Sequence, residues 1–140
     1  MREFGEIFPG IHYTERPGAY GLLCEDGGRL AVIETSFGRF LPGGGLDPGE
    51  DALTGLAREI MEEIGYLLLS AELAGQAAQY HWSEFYQMHF KKIGSFYRIT
   101  ATTAPAPTLQ EDHSLIWLKP DEATKSLSQE FQRYAVGAFL

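Results

Sequence analysis

The segment from Phe40 to Tyr66 constrains this chain more than any other. It opens Phe-Leu-Pro-Gly-Gly-Gly and closes Arg-Glu-Ile-Met-Glu-Glu-Ile-Gly-Tyr. Three glycines behind Pro42 let the backbone bend sharply and approach a ligand closely. A helix is expected to begin between Pro48 and Asp51, with Asp47 and Glu50 spaced as a capping pair around Pro48 in its first turn. Leu53, Leu56, Ala57, Ile60 and Ile64 recur at helical spacing. Gly65 stands where a glycine ends a helix, just past the last turn.

The polar face of that helix is acidic. At about 100° per residue, with Glu59 at zero, Glu62 falls near −60° and Glu63 near +40°, roughly. The apolar residues occupy roughly +60° to +160° on the same wheel. Three carboxylates thus sit beside the packing face, where neighbouring like charges cost a few tenths of a kcal/mol per pair, on the order of magnitude seen in isolated helices. A cation among them would offset that cost, and three hard oxygen donors suit Mg²⁺ or Mn²⁺. For a bare Glu-x-x-Glu-Glu, a solvated acidic face is the commoner explanation.

The flanking sequence reads as strands. Pro17 to Cys24 and Arg29 to Glu34, joined by Glu25-Asp26-Gly27-Gly28, look like a hairpin, and residues 1 to 16 add an edge strand. Strand-like runs follow at 66–69, 72–82 and 87–100, then a loop from Ala101 to Thr108, a short strand at 115–118, and a helical pattern from Asp121 onward with Phe131, Tyr134, Ala135 and Phe139 on one face. Two helices, the first inserted mid-chain, imply an α/β (α+β) architecture with a mixed sheet sandwiched between them. At 140 residues and 44% hydrophobic, the expectation is one domain over 1–140.

Charge narrows the function classes. A net charge of −8 disfavours a duplex nucleic-acid binder, although carboxylates can still take a polyanion when divalent metal reverses the local field. The single cysteine, Cys24, excludes an intrachain disulfide and a Cys-based zinc site, and its apolar run makes it a small buried or half-buried residue. The sequence has no signal-peptide pattern and no membrane-length apolar run, so a cytoplasmic protein is expected.

Read from Gly44, the whole segment is Gly-x5-Glu-x7-Arg-Glu-Ile-x-Glu-Glu-x-Gly-Tyr. At ordinary usages its fixed positions coincide by chance only about once in 10⁹ starting points. It resembles the signature of the Nudix hydrolases, with one departure: Tyr66 stands where a bulky aliphatic residue is usual. The upstream strands, the Phe-Leu-Pro-Gly-Gly-Gly lead-in and the Ile116-Trp117-Leu118 strand are compatible with the same family's layout. The resemblance implies an α/β/α sandwich and an enzyme that cuts the diphosphate linkage of a nucleoside diphosphate attached to another moiety.

By that resemblance Glu59, Glu62 and Glu63 are metal ligands, with the Gly44 carbonyl a further one, and the cofactor is Mg²⁺ or Mn²⁺. Arg58 and Glu50 are the family's structural pair, and Gly65 closes the motif. The general base varies within the family. Glu63 and Glu59 are the candidates inside the signature, and Glu111 and Glu84 outside it, with Asp112 able to replace Glu111. Phosphate contacts are expected first from Arg39, then from Arg29, Lys91, Lys92 and Arg98. Tyr80, His81, Trp82, Phe85 and Tyr86 offer either a stacking ring or ordinary core, and His81 and His89 read as structural histidines. The substrate expected is a small nucleotide, a nucleoside triphosphate or a relative of one, with family analogy admitting a homodimer. A catalytically silent nucleotide sensor is the alternative reading, set against an intact signature and no room for an effector domain.

Overall fold

The computed structural model describes residues 1–105 and 111–140. In chain order these form β1 (Arg2–Phe4), β2 (Thr14–Leu23), β3 (Leu30–Thr35), β4 (Gly38–Phe40), β5 (Gly43–Gly45), α1 (Ala52–Ile64), β6 (Tyr66–Ser83), β7 (Met88–Thr103), β8 (Ser114–Leu118), α2 (Pro120–Ser126) and α3 (Glu130–Phe139). Five strands make a mixed sheet in the order β1-β6-β7-β2-β5, and three make an antiparallel sheet in the order β4-β3-β8.

The alternation of β2 and β3 explains why helices cover both faces. Successive strand residues point to opposite sides. Tyr20, Leu22, Leu30 and Val32 face one core with Phe96 and the α3 residues Phe131, Ala135 and Val136. Ala19, Leu23, Ala31 and Ile33 face the other, with Leu56, Ile60 and Ile64 of α1. Each fully buried Leu, Ile or Phe contributes about 1.5–3 kcal/mol, so both layers are needed. The result is the expected α/β/α sandwich with a mixed sheet.

Four local expectations are corrected. The chain does reverse between β2 and β3, where the Glu25 N–H bonds the Arg29 carbonyl at 2.9 Å. Beyond a single bridge at Cys24 and Leu30, however, the strands part into different sheets. Each is apolar on both faces and already has two other ladder partners, β5 and β7 for β2 and β4 and β8 for β3. Cys24 lies at that turn and is exposed. The C-terminal helical stretch is two helices, because Leu127 leaves helical geometry (φ −61°, ψ 137°) to bury its side chain completely. The segment 101–108, read as loop, belongs to β7 as far as Thr103, and residues 106–108 lie outside the described residues.

Candidate active site

Helix α1 starts one residue later than the sequence pattern implied. Its N-cap is Asp51, whose Oδ1 accepts from the Thr54 N–H at 2.8 Å, an arrangement worth about 1 kcal/mol. Asp47 and Glu50 close a turn just before it. The Glu50 N–H bonds the Asp47 carbonyl at 3.0 Å, and the Asp47 N–H bonds Glu50 Oε1 at 2.9 Å. Leu53, assigned to the packing face, is 49% exposed in the first turn, while Leu56, Ile60 and Ile64 are buried. Gly65 ends the helix in the left-handed region (φ 68°, ψ 31°), its N–H bonding the Met61 carbonyl.

Arg58 organises the acidic groups. Its Nε and Nη2 donate to the two oxygens of Glu50 at 2.8 and 2.9 Å, a bidentate fork. Its Nη1 donates to Glu59 Oε1 at 3.1 Å and to Glu62 Oε2 at 3.3 Å, and Nη2 reaches the Gly45 carbonyl at 3.5 Å. The guanidinium holds the Glu50 carboxyl down at about 2, helped by the Asp47 N–H.

Glu63 is in a different environment. Its side chain is 10% exposed, against 42% for Glu62. Burial pushes its carboxyl up to about 8. The Gly43 N–H, donating to Oε1 at 2.7 Å, works against that rise, and the charges of Glu59 and Glu62 add to it. Glu59 is also raised, first by burial, with Arg58 opposing. The glycine strand β5 makes this approach possible. Gly43 has φ 132°, and a Cβ there would collide with the Ala19 carbonyl. At Gly44 an added Cβ would lie 3.1 Å from Glu59 Oε1. Glycine at both positions brings backbone and carboxylates together.

Glu63 and the three glycines border a cavity of about 420 Å³. Two cations share its wall: Arg16, which the sequence reading missed, and Lys92, which it ranked low. The strand register that sets Arg16 beside Lys92 is a long-range pairing with no local signal. Arg39, the first choice for phosphate, does not reach the cavity. It alternates with the cavity-lining Phe40 on β4 and pairs through Nε with Glu34 Oε2 at 2.7 Å. Lys91 pairs with Glu3 and Arg98 with Glu72, away from the site.

The acids outside the signature also separate. Glu111 is exposed and does not line the cavity. Its neighbour Asp112 does, and accepts from the Ser36 N–H at 3.2 Å and the Ser36 hydroxyl at 2.7 Å, which keep its carboxyl below the usual range. His113, which no sequence signal picked out, has a buried Nδ1 with no hydrogen-bond partner among the described residues, 4.0 Å from Glu63 Oε2. Glu84 sits in the β6–β7 turn with Trp82 and Gln87. Of the aromatic cluster, Tyr80 bonds Glu3, and none of its members lines the cavity.

The donor set fits a divalent cation of the Mg²⁺ type. Among the described residues no three His, Cys, Asp or Glu side chains form a ready-made metal cage. Mg²⁺ does not require one, since it keeps several waters and binds through one or two carboxylates plus substrate phosphates. A buried Glu63 crowded by Glu59 and Glu62, beside the glycine strand, has the oxygen chemistry such an ion needs.

A glycine strand and an acidic helix meeting under a cation-walled cavity define a site for phosphate chemistry. The profile of the NUDIX domain matches residues 14–138, and the chain belongs to that family. It is a Nudix hydrolase, an enzyme of the class that cleaves the diphosphate linkage of nucleoside diphosphate derivatives. A MutT-like protein of Streptomyces ambofaciens is 29% identical over 125 residues, which cover 88% of this chain and 74% of that protein. The MutT protein of Methanosarcina mazei Go1 superposes with a TM-score of 0.73 at 21% identity, covering 93% of this chain and 96% of that one. The dihydroneopterin triphosphate pyrophosphohydrolase of E. coli gives 0.69 at 15% identity, covering 91% and 96%. At such identities the likeness to solved structures is one of fold.

Proposed function

We propose that this hydrolase is a pyrophosphohydrolase dependent on Mg²⁺ or Mn²⁺, acting on a nucleoside triphosphate or a closely related small nucleotide. The observation that carries the reading is the meeting of Glu63 with Gly43 at the cavity wall, 2.7 Å apart, beside Glu59. Glu59, Glu62, Glu63 and the Gly44 carbonyl would hold the cation, which polarises phosphoryl oxygens and lowers the pKa of the attacking water.

The chain's own groups do the rest. Arg58 positions Glu59 and Glu62, and the Gly43 N–H fixes the orientation of Glu63. Glu63 and Glu59 remain the candidates to accept the water's proton. Outside the signature, Asp112 replaces Glu111 as the better candidate, because it borders the cavity and general-base work requires reach before it requires pKa. The setting proposed is cytoplasmic. Among the described residues no helix is long and apolar enough to cross a membrane.

The test is product release from nucleoside triphosphates, dinucleoside polyphosphates, ADP-ribose and NADH, with Mg²⁺ or Mn²⁺, for wild type and Glu63→Gln. Metal-dependent release that drops by about 10² or more in the variant supports the reading. Nucleotide binding without turnover in the wild type would favour the silent sensor instead.

A further inference from the structure

The cavity has a second pole that the Nudix signature does not account for, and its interpretation rests on the hydrolase reading above. Arg16 of β2 and Lys92 of β7 are direct partners in a parallel ladder, and both side chains line the cavity. Both are half-buried. The cations nearby already have partners, Arg58 in Glu50 and Arg39 in Glu34. Among the described residues, neither Arg16 nor Lys92 forms an ion pair with a carboxylate.

Arg16 is nevertheless fixed. Its guanidinium lies 5.7 Å from the Tyr86 ring centroid and 5.8 Å from that of Phe90. It also rests on Gly45, where an added Cβ would be 2.9 Å from Nη2. Ring faces and a glycine hold the group in place, and among the described residues its donors have no side-chain or backbone acceptor. Burial and the charge of Arg16 bring the Lys92 ammonium down to about 8. Two adjacent cations, positioned and unpaired at a cavity wall, are costly unless an anion joins them.

The glycine strand sets the spacing of the two poles. The Gly43 N–H holds Glu63, and Gly45 underlies Arg16, two residues or about 7 Å farther along extended chain. A polyphosphate spanning the cavity would therefore meet Glu63 at one end and the cations at the other.

We propose that Arg16 and Lys92 form an anion subsite for a terminal phosphate lying beyond the phosphates engaged at the glutamates. The enzyme then selects substrates whose phosphate chain ends free over those whose diphosphate is capped by a neutral sugar. A neutral cap would leave both cations desolvated without a partner, and such unmade polar contacts are what allow a site to reject an analogue strongly.

Two measurements test this. Inorganic tripolyphosphate is titrated calorimetrically into metal-free protein, and kcat/KM is compared for a nucleoside triphosphate and a nucleotide sugar with Mg²⁺. In Arg16→Gln and Lys92→Met, tripolyphosphate binding weakens by about tenfold or more. The triphosphate-to-sugar ratio of kcat/KM falls by a similar factor, mostly through KM, and Lys92→Arg recovers much of both. Arg39→Gln, outside the cavity, moves neither. Thermal melting verifies that each variant folds, and Lys92→Met is expected to, since it removes a half-buried charge. Unchanged tripolyphosphate binding, or equal losses on both substrates, overturns the subsite. A wild type that binds tripolyphosphate through these residues yet turns over no nucleotide would sink the catalytic reading and leave the subsite standing.

Discussion

The Gly43 N–H donates to Glu63 Oε1 across 2.7 Å, tying the glycine strand to the last turn of the acidic helix twenty residues later. The contact exists only because Gly43 adopts φ 132° against the Ala19 carbonyl. Gly43→Ala therefore strains the backbone and displaces β5 from β2. We expect a loss of about 1–3 kcal/mol in stability and a fall in turnover larger than the loss of folded protein. Denaturant titration alongside initial rates checks this, and a variant as stable and active as wild type would refute the assigned role of the strand.

Divalent cation should act on the fold as well as on the rate. Glu59, Glu62 and Glu63 repel one another in the free protein, and a ligand that binds only the folded state stabilises it by about 2.7 kcal/mol at a hundred times its Kd. Mg²⁺ or Mn²⁺ is expected to raise the melting temperature by several degrees, and chelation to abolish turnover. In Glu59→Gln with Glu63→Gln the rise should vanish. A melting temperature indifferent to metal in the wild type would argue against carboxylate ligation.

Glu50 gives a pH dependence of definite sign. Its folded carboxyl, held at about 2 by Arg58, lies below the unfolded value of about 4.3. Its contribution to stability is complete above the unfolded value and declines as pH falls towards 2. Glu50→Gln should melt below wild type at pH 6, and the difference should narrow progressively under acid. A gap that stays constant from pH 6 to pH 3 would contradict the pairing.

Lys92 has a profile of the same sign in a different window. Its folded pKa of about 8 lies below the ordinary 10.5, through burial and Arg16. Arg16, Glu63, Asp112 and His113 face it in the cavity, and His81 lies close enough to feel its charge. Below about 8 it is charged in both states and its penalty is constant. Between about 8 and 10.5 the unfolded chain binds more protons, so stability attributable to Lys92 rises with pH, by at most about 3 kcal/mol across the window. The wild-type minus Lys92→Met difference in unfolding free energy, measured from pH 7 to 10.5, should show that climb. A flat difference would mean that the ammonium is not desolvated.

Local patterns made part of this molecule legible in advance. Helix α1 was readable because its packing period and Gly65 are encoded within one stretch of chain, although its cap is Asp51 rather than the Asp47 and Glu50 pair. The acidic face with Arg58 and Glu50 was readable for the same reason. What escaped depends on distant partners. That β2 lies parallel to β7, bringing Arg16 beside Lys92, is a fact about residues 76 positions apart. Arg39 looked well placed by its closeness to the glycines, yet strand alternation turns it from the cavity to Glu34. Cys24 sat in an apolar run, but the chain turns there and leaves it in solvent. The break at Leu127 carries neither glycine nor proline, because burial of the side chain causes it.

One guanidinium serves most of the signature. Arg58 contacts Glu50, Glu59, Glu62 and the Gly45 carbonyl, with Asp47 at 3.4 Å. A change at any one of these acids alters what the arginine can offer the others, so their effects should not add. In a combinatorial library of these positions, the fitness of a pair would depart from the product of its singles. Once Arg58 is lost, further changes at Glu50 would matter little. Natural drift should accordingly move these residues as a block or hardly at all, while Arg16 and Lys92, outside that web, are free to vary together and retune substrate choice.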